Sequence, residues 1–137
     1  MALDLSSLEK AVDSFEKTLK VASEMSAFNK DQKNAVKAGV IQNFEFTYEL
    51  CWKFMKRWLE NNLGSTYVDG AARRELFRLG AEHQLIEDVD DWMEYHDARN
   101  QTAHTYNEAK AEDVFNTAKK FLGAAKKFKE NLKIRND

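Results

Sequence analysis

Leu8, Val12, Phe15, Leu19, Ala22 and Met25 recur at steps of three and four residues, the period of one buried helix face. They predict an amphipathic helix from Ser6 to about Ser26, opened by a capping box in which Ser6 and Glu9 satisfy each other's backbone donors. A second stripe of Val40, Phe44, Tyr48, Cys51, Met55 and Trp58 predicts a long helix from about Asp31 to Asn61, with Asn29 or Asp31 as its cap. Ile41, Phe46, Leu50, Phe54 and Leu59 widen its apolar surface beyond the ~100° of an ordinary buried face. Such a helix must bury more than one side, in the centre of a bundle or against another subunit.

The run "NNLGSTYVDG" is turn chemistry. It leads into a short helix, "AARRELFRLG", expected to stop at Gly80 as its C′ residue. Asp88 is placed to cap the next helix, where Asp90 and Asp91 favour the positive end of the dipole. That helix presents Val89, Trp92, Met93 and His96, and it breaks at Asn107 and Glu108. From about Ala111, Val114, Ala118, Phe121, Ala125, Phe128 and Leu132 form a seam with gaps of 4, 3, 4, 3 and 4, suited to helix–helix packing. The pattern predicts an all-α fold: an up-and-down antiparallel bundle of four long helices plus one short helix. No repeat or linker divides the chain, so residues 1–137 are expected to form a single domain.

Composition agrees with helices. The chain contains no proline, a residue that strand-rich folds use at edges and turns. One cysteine, Cys51, rules out an intrachain disulfide and supplies no CxxC pair for zinc. No apolar run is long enough to span a membrane, and the N-terminus lacks the basic-then-apolar form of a signal peptide. A soluble cytoplasmic protein is expected. Net charge is −2, unevenly spread: residues 84–98 carry six acids and no Lys or Arg, while residues 116–137 carry seven bases and two acids. Most of these charges read as solvated faces. A non-specific nucleic-acid binder would be more basic overall.

Chemistry concentrates in "DARNQTAHTYNE", residues 97–108. On a straight helix Arg99 and Tyr106 would fall about 20° apart, but Arg99 and His104 about 140° apart. Convergence of Arg99 and His104 therefore needs a loosened helix near Thr102 to Tyr106, or a second copy of the chain. A His titrating near neutrality transfers protons, and an Arg holds phosphate and offsets developing charge. Together they suit metal-free cleavage of a phosphodiester in which the RNA 2′-hydroxyl is the nucleophile, with Asn100 orienting the phosphate or the imidazole. A lone Arg–His pair, however, is more often solvated or packed than catalytic. Glu49 pairs with Lys53 at i,i+4, though with Glu45 it is also a candidate partner or interface residue. Glu45 has no base four residues on, which reserves it for a partner or cross-chain contact. Cys51 reads as core. His83, His96 and His104 lack metal-ligand spacing, so neither metal nor cofactor is called for. Arg73, Arg74 and Arg78 read as a solvated face that could touch nucleic acid.

"RNQTAHTY" resembles the R-x4-H-x-Y signature of the HEPN superfamily, above all its HepT-like toxins. "IQNFEFTYELCWKFMKRWLE" and "RRELFRLGAEHQLIEDVDDWMEYHDARNQTAHTY" are similar to the long motifs of its nucleotidyltransferase substrate-binding subfamily, from about Leu8 to Leu132. Ala71 and Ala72 stand where that subfamily often carries Ser-Pro. The resemblance implies a dimeric helical bundle with a cleft lined by both signatures, and a small nucleotidyltransferase partner encoded beside it. Two functions follow from it. In one, the chain is a metal-independent endoribonuclease toxin: Arg99 and His104 are catalytic, Asn100 supports them, and Tyr106 receives AMP from the antitoxin partner. In the other, it is a non-catalytic subunit that binds substrate or nucleotide for the nucleotidyltransferase. The intact Arg–His pair favours the first; the acidic segment beside it, which repels RNA, favours the second. The balance leans to the ribonuclease.

Overall fold

The computed structural model describes residues 2–136. Among these residues six α-helices form: α1 (Ser6–Ser23), α2 (Lys30–Leu63), α3 (Ser65–Val68), α4 (Arg73–Glu82), α5 (Val89–Gln101) and α6 (Glu108–Ile134), with 3₁₀ turns at Met25–Ala27 and Thr102–His104. No strand occurs among the described residues. The all-α expectation holds. The helices added to it are α3, a single turn that closes the Gly-rich connection, and a first turn of α6 earlier than expected.

Contacts along the chain fix the helix directions. Thr47 Oγ1 donates to the Ala11 carbonyl and Ser14 Oγ to Asn43 Oδ1, so α1 and α2 run antiparallel. Gln101 meets Lys110 and Glu94 meets Lys120, so α5 and α6 are antiparallel as well. Lys37 pairs with Glu112, and Trp58 Nε1 donates to the Arg135 carbonyl. The diagonal helices α2 and α6 are therefore parallel, as an up-and-down order requires. Phe121 on α6 is the hub: its ring lies 4.9–6.1 Å from those of Phe15, Phe44, Tyr48, Trp92 and Tyr95. The seams of α2 and α6 are buried as their periods predict.

Two helix ends differ from the sequence reading, and at a third the structure selects one of the two caps it offered. Ser6 does not cap α1; Asp4 Oδ1 accepts from the Ser6 amide and hydroxyl, and the cap position is Leu5. A carboxylate two residues upstream reaches the free amide first. At α2, Asn29 rather than Asp31 caps, in a reciprocal box with Gln32. At α4, Gly80 does not end the helix. It lies inside it, where an added Cβ would stand 2.7 Å from Met55 Sδ. The glycine is a close-packing position against α2, and the left-handed residue beyond the helix end is Gln84, at φ 63°. Asp88 caps α5 as expected, and Asn107, read from sequence as a break, caps α6.

The breadth of α2 is only partly spent inside the chain. Ile41, Phe54 and Leu59 are buried, Leu50 is partly covered, and Phe46 is 56% exposed. No helix among the described residues is long and apolar enough to cross a membrane.

Candidate active site at the end of α5

The α-helix stops at Gln101 because its threonines turn on their own backbone. Thr102 Oγ1 donates to the Arg99 carbonyl and Thr105 Oγ1 to the Thr102 carbonyl, bonds that compete with continued helix. The chain tightens into the 3₁₀ turn Thr102–His104 before Asn107 restarts it. The loosening that was one of the two routes to convergence is present between Thr102 and Tyr106, but it does not bring Arg99 and His104 into contact.

Arg99 reaches back from this end to α2. Its Nε donates to Glu49 Oε1 at 2.9 Å, and its terminal nitrogens lie 3.5 Å from Glu45 Oε1 and 3.4 Å from Thr102 Oγ1. Two carboxylates one helical turn apart thus face one guanidinium. Glu45, for which the sequence offered no partner four residues on, has an intrachain one. Glu49 keeps the expected Lys53 contact, at 3.9 Å, and adds Arg99. Several of the five guanidinium N–H groups remain free for another acceptor.

His104 is exposed, and its ring makes no hydrogen bond among the described residues. No hydrogen bond joins it to Arg99. Its nearest aromatic neighbour is Tyr106, at 6.4 Å between centroids. Tyr106 is 88% exposed and lines a groove of about 500 Å³ with Glu45, Thr102 and Thr105. A second groove, about 660 Å³, runs along α2 past Phe46 and Leu50 to Arg99. Glu45 borders both.

Asn100 points elsewhere. Its amide nitrogen lies 3.5 Å from His96 Nε2, and His96 Nδ1 is 2.8 Å from the Tyr48 hydroxyl. Whichever ring nitrogen carries the proton, the imidazole joins a buried phenol to an exposed amide. Burial, followed by the Arg73 charge, pushes the His96 pKa below its ordinary value, so the neutral ring is favoured. Burial likewise pushes the Tyr48 phenol and the Cys51 thiol up, leaving Cys51 an inert core residue. The sequence reading missed His96 and Tyr48 as neighbours of Asn100. The i,i+4 spacing of His96 and Asn100 was a visible signal; the Tyr48 contact, across two helices, was not. Trp52 was missed too: its indole N–H donates to Glu49 Oε2 at 3.1 Å.

The profile of the family described as "nucleotidyltransferase substrate binding protein like" matches residues 3–134. A Haemophilus influenzae protein named probable ribonuclease HepT is 36% identical over 138 residues, spanning 98% of this chain and 94% of that one. Among solved structures, HI0074 of H. influenzae superposes with a TM-score of 0.89 at 32% identity, over 95% of this chain and 99% of that one. It is described as having the fold of a substrate-binding domain of a nucleotidyltransferase. A Thermus thermophilus protein matches at a TM-score of 0.65 and 29% identity, over 86% and 98% of the two chains. Matched from one end to the other, the chain belongs to the nucleotidyltransferase substrate-binding-protein-like family, the HepT-like branch of the HEPN helical bundles.

Proposed function

We propose that the chain is a metal-independent endoribonuclease held in check by a small nucleotidyltransferase, with Arg99 and His104 as its catalytic pair. The observation that carries this reading is the shared end of α5. There Arg99 is oriented by carboxylates behind it, and His104, one short turn on, has an unoccupied ring. In the reaction the RNA 2′-oxygen attacks the adjacent phosphorus and the bond to the 5′-oxygen breaks, leaving a 2′,3′-cyclic phosphate and a 5′-hydroxyl. The 2′-hydroxyl loses a proton and the departing 5′-oxygen gains one; His104 carries one of these protons and solvent the other. Arg99 offsets the charge of the pentavalent transition state, and Asn100, whose amide contacts His96, supports the pair from behind.

Arg99 and His104 make no direct contact within one chain. Exposed Phe46 and the groove that leads from it to Arg99 support an isologous dimer in which two copies of residues 99–106 share one cleft. Tyr106, at the groove edge, is the acceptor for AMP in this reading; added there, a phosphate and a base block RNA by charge and bulk. The relative named a probable ribonuclease supports the activity, and the family description supports the nucleotidyltransferase as partner.

A second reading, a non-catalytic subunit that binds substrate or nucleotide for that partner, is favoured by Glu45 and Glu49, which neutralise Arg99. The deciding experiment incubates RNA in EDTA with the wild type, Arg99→Ala and His104→Ala. Each substitution should lower cleavage by about two to four orders of magnitude. Equal rates from all three would end the ribonuclease reading and leave the binding subunit.

A further inference from the structure

The arginines of α4 do not share one fate. Arg74 pairs with Asp90 and Arg78 with Glu75. Arg73 has no ion pair among the described residues. Its guanidinium carbon lies 3.6 Å from the centroid of the Trp52 ring, a stacked arrangement that fixes a cation without neutralising it. Its Nε is buried and without a hydrogen-bond partner, so no group of the chain neutralises or satisfies this edge of the cation.

The stack is tied to the candidate site through one carboxylate. Glu49 accepts from Arg99 Nε on Oε1 and from Trp52 Nε1 on Oε2, and Trp52 carries Arg73 on its face. Glu49 and Trp52, the α2 residues that hold the two guanidiniums, lie about 4.5 Å apart along the helix axis. One guanidinium is held by carboxylates and the other is not. The Arg73 charge also reaches His96 and Tyr48, the pair behind Asn100. A solvated arginine would fold away from this cluster or find a carboxylate.

We propose that Arg73, stacked on Trp52, binds a phosphate of single-stranded RNA next to the phosphate held at Arg99. A line of positive charge that tracks the backbone is a general means of holding single strands. This inference rests on the ribonuclease reading and extends it from one phosphate to a path. Arg73 touches no reacting atom in it and acts as a binding residue.

The test measures binding of a short single-stranded RNA by fluorescence anisotropy across a salt series. The His104→Ala protein serves as parent, so that the RNA stays intact. Arg73→Gln in that background should weaken binding roughly three- to tenfold and lower the salt slope by about 0.7, the loss of one phosphate contact. Arg73→Lys, which keeps the charge, should keep the slope, and far-UV circular dichroism should match for all three proteins. If the parent binds RNA and Arg73→Gln binds it with equal affinity and slope, the subsite is wrong and the ribonuclease reading stands. Equal losses in the Gln and Lys variants with unchanged slope would make Arg73 a packing residue and overturn the proposal. Dependence on Arg73 for ATP but not for RNA would overturn it in favour of a nucleotide site. Failure of the parent to bind RNA would remove both.

Discussion

Arg99 on α5 and Glu49 on α2 meet at 2.9 Å, with 30% and 29% of their side chains exposed. The contact uses the Nε–H and, with Glu45 and Thr102 beside the terminal nitrogens, fixes the guanidinium while leaving N–H groups for another acceptor. Glu49→Gln should loosen that hold while removing a negative charge from the path of RNA. The expected outcome is a split: RNA binding as tight or tighter, and a lower kcat. Both groups are about a third exposed, so stability should fall by less than about 1 kcal/mol. Kinetics and binding measured together check it; parallel loss of both would mean that Glu49 does not orient Arg99.

Tyr106 is 88% exposed and contributes little to the core. Tyr106→Phe should change stability by less than about 0.5 kcal/mol and abolish AMP transfer from the nucleotidyltransferase. Mass spectrometry after incubation with partner and ATP reads the outcome. AMP on another residue would leave complex formation as the means of inhibition.

The neutral ring favoured at His96 has a pH consequence. With its folded pKa below the ordinary 6.5, the unfolded chain takes up the proton first as pH falls. This contribution to stability is therefore intact above about pH 6.5 and declines below it, until the folded pKa is passed. His96→Gln, which cannot charge, should flatten the fall in melting temperature between neutral and mildly acidic pH. An unchanged slope would rule His96 out as the source.

Phe46 offers the largest apolar surface on the open side of α2. Phe46→Glu should leave the monomer fold intact, since little of the ring is packed, and turn a dimer into a monomer in sedimentation. It should also lower RNA cleavage if the two copies share one cleft. A wild-type monomer at micromolar concentration would remove the dimer from the reading.

Periodicity alone determined most of the fold. The stripes of α1, α2 and α6 name the residues that fill the core, because a helix with about 3.6 residues per turn can bury only positions recurring at that period. Asp88 was legible as a cap and Asn107 as a break, because a cap acts on amides two or three residues away. Local chemistry also marked the end of α5, where threonines compete with the helix. What the tertiary structure decided depends on distance in space. Gly80 looked like a helix end and is a packing contact, because Met55 approaches from a helix far away in sequence. Glu45 looked unpartnered, because its arginine lies 54 residues on, along α5. The chain from Tyr48 through His96 to Asn100, and the chain from Arg99 through Glu49 and Trp52 to Arg73, exist only once α2, α4 and α5 are packed. A one-dimensional pattern records which face of a helix is buried; it does not record which side chain of another helix arrives there.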